Sequence, residues 1–197
     1  MIANRIKPIL DNLISLSQSA FIPGRLILDN VIVAYGVNHY LDHKYQGKSG
    51  HASLKLDLSK AYDRVEWNFL ERVLLRLGVA SKFVNLIMLC VTSVSFCFML
   101  NGKPFENLQP ARSLRQGDPL SPYLFLFCAE GFSGLVRKEE EAGTIRGVRV
   151  CRNGPRVTHL LFANDTLIFC DATREALSLI QGLVTRFEKG LGLQVNY

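Results

Sequence analysis

The sequence predicts an α+β fold in which an antiparallel sheet packs on helices. Ala52–Leu58 alternates strictly. Ala52, Leu54, Leu56 and Leu58 point one way, while Ser53, Lys55 and Asp57 point the other, which marks a strand with one buried face. Two stretches read as β-hairpins: Val94–Leu108 around Asn101-Gly102, and Thr158–Cys170 around a polar break at Asn164, Asp165 and Thr166. Between these strands, apolar residues recur at helical spacing.

In chain order, Met1–Leu10 reads as a helix with Ile2, Ile6 and Ile9 on one face, and Pro8 argues that it is coming to its end. Gln18–Arg25 is extended and turns at Pro23-Gly24; Asp29 or Asn30 then caps a helix running to about His43. His39 and His43 share a helical face, but no third ligand accompanies them, so they read as a surface pair. Gln46–His51 is a polar, glycine-rich loop before the Ala52–Leu58 strand. Trp67, Leu70, Leu74 and Leu77 mark a helix closed by Gly78, and Lys82–Cys90 another. Asn101-Gly102 suits a type I′ turn, which fixes the register of the first hairpin. Pro110–Pro119 is a loop carrying Arg112, Arg115, Gln116 and Gly117, after which Ser121 as N-cap and Pro122 at the first position open a buried helix. Gly143–Asn153 is a short basic strand and turn. Leu177, Ile180, Val184 and Phe187 mark a last helix, closed by Gly190 and Gly192, and Val195–Tyr197 begins a strand.

The chain has 197 residues, 48% hydrophobic and 20% charged, which suits one large globular domain or two small lobes. A net charge of +6 favours polyanionic partners, nucleic acid first. The five cysteines are odd in number, widely spaced and set mostly in apolar runs. They read as buried free thiols of a reducing intracellular compartment, nucleus or cytoplasm, rather than as disulfides or a zinc site. The longest apolar run, Tyr123–Ala129, is far too short for a membrane span.

The chemistry concentrates in three places. Asp57 stands near the end of a strand, where charge is unfavoured without a reason. Arg112, Arg115 and Gln116 precede Gly117, a grouping able to fork onto phosphates and donate to a ligand oxygen. Asp165 lies at the tip of a hairpin whose packing would fix its geometry. Leu56-Asp57-Leu58-Ser59-Lys60-Ala61-Tyr62-Asp63 resembles motif A of reverse transcriptases. Leu114–Pro122 (Leu-Arg-Gln-Gly-Asp-Pro-Leu-Ser-Pro) resembles motif B, and Phe162-Ala163-Asn164-Asp165 resembles motif C. Their order and spacing are those of LINE-type (non-LTR) retrotransposons, with wording similar to plant versions, across Met1–Tyr197.

The resemblance implies a polymerase palm with part of the fingers: about 1–50 fingers, about 51–197 mainly palm, including a 91–110 hairpin. It implies transfer of a deoxynucleotide to a DNA primer on an RNA template, with two Mg²⁺ ions held by carboxylates. Asp57 and Asp165 are the expected metal ligands. Tyr62 matches the gate against a ribose 2′-hydroxyl, Gln116 and Gly117 match the nucleotide border, and Arg25, Arg112 and Arg115 are expected to touch nucleic acid.

Two departures follow from the same comparison. The first motif C acid is replaced by Asn164, whose carbonyl can ligate Mg²⁺ but brings no charge. The family also continues upstream into more fingers structure and downstream into a lysine and a thumb. The expectation is therefore a weak or inactive polymerase fragment, the alternatives being a non-catalytic nucleic-acid-binding remnant or a relic without function.

Overall fold

The structure is a computed structural model, and it describes residues 2–44, 50–192 and 194–196. Its centre is a four-stranded antiparallel sheet of β1 (His51–Ser59), β4 (His159–Phe162), β5 (Asp165–Asp171) and β6 (Gln194–Asn196), in the order β4-β5-β1-β6. β2 (Phe96–Leu100) and β3 (Lys103–Leu108) form a separate hairpin. The helices are α1 (Ile2–Leu13), α2 (Ile27–Asp42), α3 (Trp67–Arg76), α4 (Ser81–Thr92), α5 (Ser121–Glu141) and α6 (Arg174–Leu191).

Register decides which side chains share a face. Leu54 pairs with Ile168 and Leu56 with Thr166, while Lys55 pairs with Leu167 and Asp57 with Asp165. Directly opposed residues project from the same side of a sheet. Leu56, Leu58, Leu161, Ile168 and Cys170 accordingly join the main core with α1, α3, α5 and α6. Leu160 and Phe169 turn to the other face and meet Ala34 and Val37 of α2 in a smaller cluster. α5 forms the spine of the main core, with every residue from Leu124 to Glu130 buried, because it is apolar almost all round.

Several elements depart from the sequence expectation, each for a local reason. α1 runs through Pro8 and past Leu10 to Leu13. Pro8 is exposed and Ile6 and Leu10 are fully buried, so the lost hydrogen bond falls on the wet side while the apolar stripe holds the helix. α2 begins at Ile27, two residues before the expected cap. Asp29 caps from inside the first turn, accepting from Leu26 N–H at 3.3 Å. Ser121 is not the cap of α5: that position falls on Leu120, and the Ser121 hydroxyl donates to the Arg115 carbonyl at 2.6 Å. The second hairpin turns at Ala163-Asn164, one residue early, so Asp165 opens β5 and Thr166 is buried. Of the five free thiols only Cys128 and Cys170 are buried; Cys90, Cys97 and Cys151 are exposed. The expected Gln46–His51 loop lies largely outside the described residues, and His51 already belongs to β1.

Other expectations match. Asn101 and Gly102 have φ of 50° and 77°, the two left-handed residues of a type I′ turn. α3 ends before Gly78, and α6 is capped by Gly192 at φ 75°. His39 and His43 stack with ring centroids 4.2 Å apart, a pair on the helix surface. Among the described residues no helix is long and apolar enough to cross a membrane.

Candidate active site

Asp57 lies near the end of β1, directly opposite Asp165 on β5 and flanked on its other side by Asn196 of β6. Opposed Cβ atoms on paired strands sit about 5 Å apart, and like charges so placed repel. A cation beside them would relieve that repulsion. Lys55, two residues before Asp57 on the same face, supplies part of it: its Nζ lies 3.4 Å from Asp165 Oδ1, with both side chains largely solvated. A pair of carboxylates at an open sheet end also suits Mg²⁺, which is commonly held by one or two carboxylates together with substrate phosphates. Among the described residues no cluster of three or more His, Cys, Asp or Glu forms a metal site. The place where a third acid is expected carries the half-buried amide of Asn164.

The turn bearing Asn164 is held from the N-terminal side of the chain. Ala163 adopts φ 56°, a left-handed conformation that costs a residue with a Cβ. Gln18, fully buried, accepts from Ala163 N–H at 3.2 Å and from Ala20 N–H at 3.0 Å through its Oε1. The Ser17 carbonyl accepts from Leu161 N–H at 2.7 Å and from Asn30 Nδ2 at 2.7 Å. Asn30 Nδ2 also donates to the Leu161 carbonyl at 3.1 Å. The segment around Gln18 thus pairs with β4 as a short parallel bridge and clamps the acidic turn. Sequence reasoning did not find Gln18 and Asn30. The legible signal was an amide, Asn30, inside an apolar helix, where a buried polar group requires partners.

Behind β1, Lys60 at φ 52° turns the chain so that Tyr62 stacks on Phe125, with centroids 5.2 Å apart. Burial pushes the Tyr62 hydroxyl above its ordinary pKa. The loop before α5 is sewn to this segment. Leu114 N–H donates to the Tyr62 carbonyl at 2.7 Å, Ser113 N–H to Val65 at 2.9 Å, and Trp67 Nε1 to Ser113 at 2.8 Å. Gln116 Nε2 donates to Asp63 Oδ1 at 3.0 Å, and Asp118 Oδ1 caps Leu120 N–H at 2.8 Å. Gly117, at φ 84°, has open space where a Cβ would stand, so backbone conformation and not crowding calls for glycine. Tyr62, Gln116, Gly117, Asp118 and Pro119 line an open cleft of about 550 Å³.

The arginines separate. Arg115 is exposed beside this cleft. Arg112 Nη1 lies 3.5 Å from Glu66 Oε1, both half solvated. Arg25 is engaged within the protein. Its side chain is only 12% exposed and pairs with Asp11 at 2.8 Å, and it donates to the carbonyls of Ser15, Gln18 and Ile14. The guanidinium thus serves orphan carbonyls at and beyond the end of α1 and closes that helix.

An antiparallel sheet backed by helices, with carboxylates opposed near its strand ends, is the arrangement that the resemblance to a polymerase palm implies. The fold agrees with telomerase from Candida tropicalis, solved in complex with a TWJ fragment of telomeric RNA, at a TM-score of 0.72 and 11% identity over 99% of this chain and 32% of that one. The family model for reverse transcriptase (RNA-dependent DNA polymerase) matches residues 1–197, and the chain belongs to that family. It is 30% identical over 167 residues to a transposon TX1 protein of Xenopus laevis, covering 85% of this chain and 12% of that protein. It is 27% identical over 180 residues to the Pol polyprotein of retrotransposable element R2DM of Drosophila melanogaster, covering 91% and 16%. An uncharacterized mitochondrial protein of Arabidopsis thaliana is 56% identical over 69 residues, 35% of this chain and 57% of that protein. The chain thus spans 57% of the Arabidopsis protein and far less of the transposon proteins.

Proposed function

We propose that this chain is the nucleotide-transferring core of an RNA-directed DNA polymerase of retrotransposon origin, about 1–50 serving as fingers and about 51–197 as palm. The carrying observation is the direct opposition of Asp57 and Asp165 across β1 and β5. Mg²⁺ bound there would supply charge neutralisation for the oxygens attacking and leaving the α-phosphorus. Asp57 and Asp165 would hold the metal, and Asn164 would offer a neutral carbonyl oxygen in place of a charge. Metal affinity follows the charge count of the ligands, so this site binds weakly and the polymerase is slow or inactive. Tyr62, its ring set against Phe125, would stand where a ribose 2′-hydroxyl must go. Gln116 and Gly117 would border the deoxynucleotide in the cleft, and Arg112 and Arg115 would meet phosphates of primer or template. The free thiols suit a reducing compartment.

A second reading, nucleic-acid binding without synthesis, draws on Lys55, whose ammonium already lies against Asp165. Primer extension on an RNA template with Mg²⁺ or Mn²⁺ separates the two. Asn164→Asp is expected to raise synthesis from a low or undetectable level, and Asp57→Ala to abolish it. Synthesis that survives Asp57→Ala would overturn the assignment of the site. Fast synthesis by the unmodified chain would overturn only its weakness.

A further inference from the structure

The turn between α5 and β4 carries a positive patch that the polymerase reading does not use. From Ala142 through Asn164 there is no acidic residue, while Arg146, Arg149, Arg152 and Arg156 all fall within it. All four are exposed. Among the described residues, no ion pair engages any of them, and only Arg156 donates a hydrogen bond, to the Gly147 carbonyl at 3.1 Å.

The element that presents them is stiff. Val148 and Val157 exchange two backbone hydrogen bonds of 2.9 Å, and both valines pack into the small cluster under α2. A Cβ on Gly147 would stand 2.5 Å from the Val157 carbonyl oxygen, so the two arms are in close contact. The bridge sets Arg149 across from Arg156, beside the buried pair and on the opposite side from it. Like charges directly opposed cost stability, and among the described residues no ion pair offsets them. The field reaches the start of β1. Burial lowers the pKa of His51, and Lys44 and Arg156 lower it further against the pull of Asp171. Through β4, Ala163 lies six positions beyond Val157, roughly 20 Å at about 3.3 Å per residue, so the patch stands off from the acidic turn.

We propose that this arginine hairpin is a binding surface for the phosphate backbone of RNA, separate from the polymerisation cleft. Guanidinium groups match phosphates in a bidentate fork, and the choice of arginine without a single lysine over this turn fits that use. The backbone bridge limits how far the arms can move apart, which lowers the ordering cost of binding. The contact requires no catalysis, so it stands or falls independently of the polymerase reading.

The test uses the whole chain and a fluorescein-labelled single-stranded RNA of mixed sequence, with anisotropy titrations over a range of KCl concentrations. Arg146, Arg149 and Arg152, which form no side-chain hydrogen bond or ion pair among the described residues, are changed together to Gln, and circular dichroism checks the fold. Three lost phosphate contacts should lower the slope of log K against log salt by about 2 and weaken binding at low salt by tenfold or more. A control changes Arg72, Arg76 and Lys82, exposed on α3 and α4, to Gln. The proposal is overturned if the hairpin variant binds as the unmodified chain does, or if the control loses as much, since net charge alone would then account for the loss. Binding lost only on Arg112→Gln/Arg115→Gln would place RNA solely in the cleft and overturn the hairpin surface while leaving the polymerase reading intact. Hairpin-dependent binding to phosphatidylserine vesicles without RNA binding would also overturn it.

Discussion

Asn164 and Asp165 occupy adjacent positions with different duties. Asp165 opens β5 and faces Asp57; Asn164 occupies the turn itself. Restoring a charge with Asn164→Asp should tighten Mn²⁺ binding by about tenfold or more, read by the loss of the free-ion electron paramagnetic resonance signal, because ligand charge sets affinity for hard cations. An unchanged binding curve would mean that the turn residue does not reach the ion. Ala163 presents the opposite case. At φ 56° its Cβ is a burden, so Ala163→Gly should stabilise the chain by about 0.5–1 kcal/mol, seen as a raised thermal midpoint. Gln18→Leu removes the acceptor for two backbone N–H groups, Ala20 and Ala163, and should cost about 1–3 kcal/mol in denaturant unfolding.

The hairpin of β4 and β5 shows how an element becomes a site. Its own strands set the register, yet its turn is held by residues more than a hundred positions upstream. A similar closure acts at the end of α6. Gly192 has φ 75°, and a Cβ there would stand 2.8 Å from the Arg64 carbonyl oxygen, where Leu191 also accepts from Glu66 N–H at 3.1 Å. Gly192→Ala should therefore destabilise by about 1–3 kcal/mol in thermal or chemical unfolding, since it combines left-handed strain with a close approach to backbone. A neutral result would show that the segment around Arg64 can yield.

Across the whole molecule, one buried polar network ties the N-terminal segment, α5 and the sheet together. His159 Nε2 lies 2.7 Å from Ser133 Oγ and 3.1 Å from Ser17 Oγ, and its Nδ1 lies 3.1 Å from Thr158 Oγ1, which donates to Glu140. Ser15 bonds Glu130, which Arg137 pairs from the same helix. Burial, with Arg137 adding, lowers the His159 pKa from 6.5 to about 4. The folded chain thus binds fewer protons than the unfolded chain between those values. Stability from this group is full above the unfolded pKa and is lost as pH falls toward the folded one. Between pH 7.5 and 5 the loss should be about 2 kcal/mol in urea unfolding, and His159→Gln should remove that component.

Much of this molecule was legible before folding, and the physical reason is locality. Alternation in Ala52–Leu58, the Asn101-Gly102 turn and the apolar stripes of α3 and α6 each report a preference that a short segment expresses alone. Motif wording likewise named Asp57, the Arg115–Pro122 loop and the Asn164-Asp165 turn, and it showed that the first turn position carries a neutral amide in place of a carboxylate. What depended on the packed chain was which groups meet. α1 ignores Pro8 because its buried stripe outweighs one lost hydrogen bond on the wet side. Arg25 closes a helix because orphan carbonyls surround it. Gln18 and Asn30 reach the acidic turn because those contacts join residues far apart in sequence. No local preference encodes them; they exist only once the sheet has its register and the helices cover it.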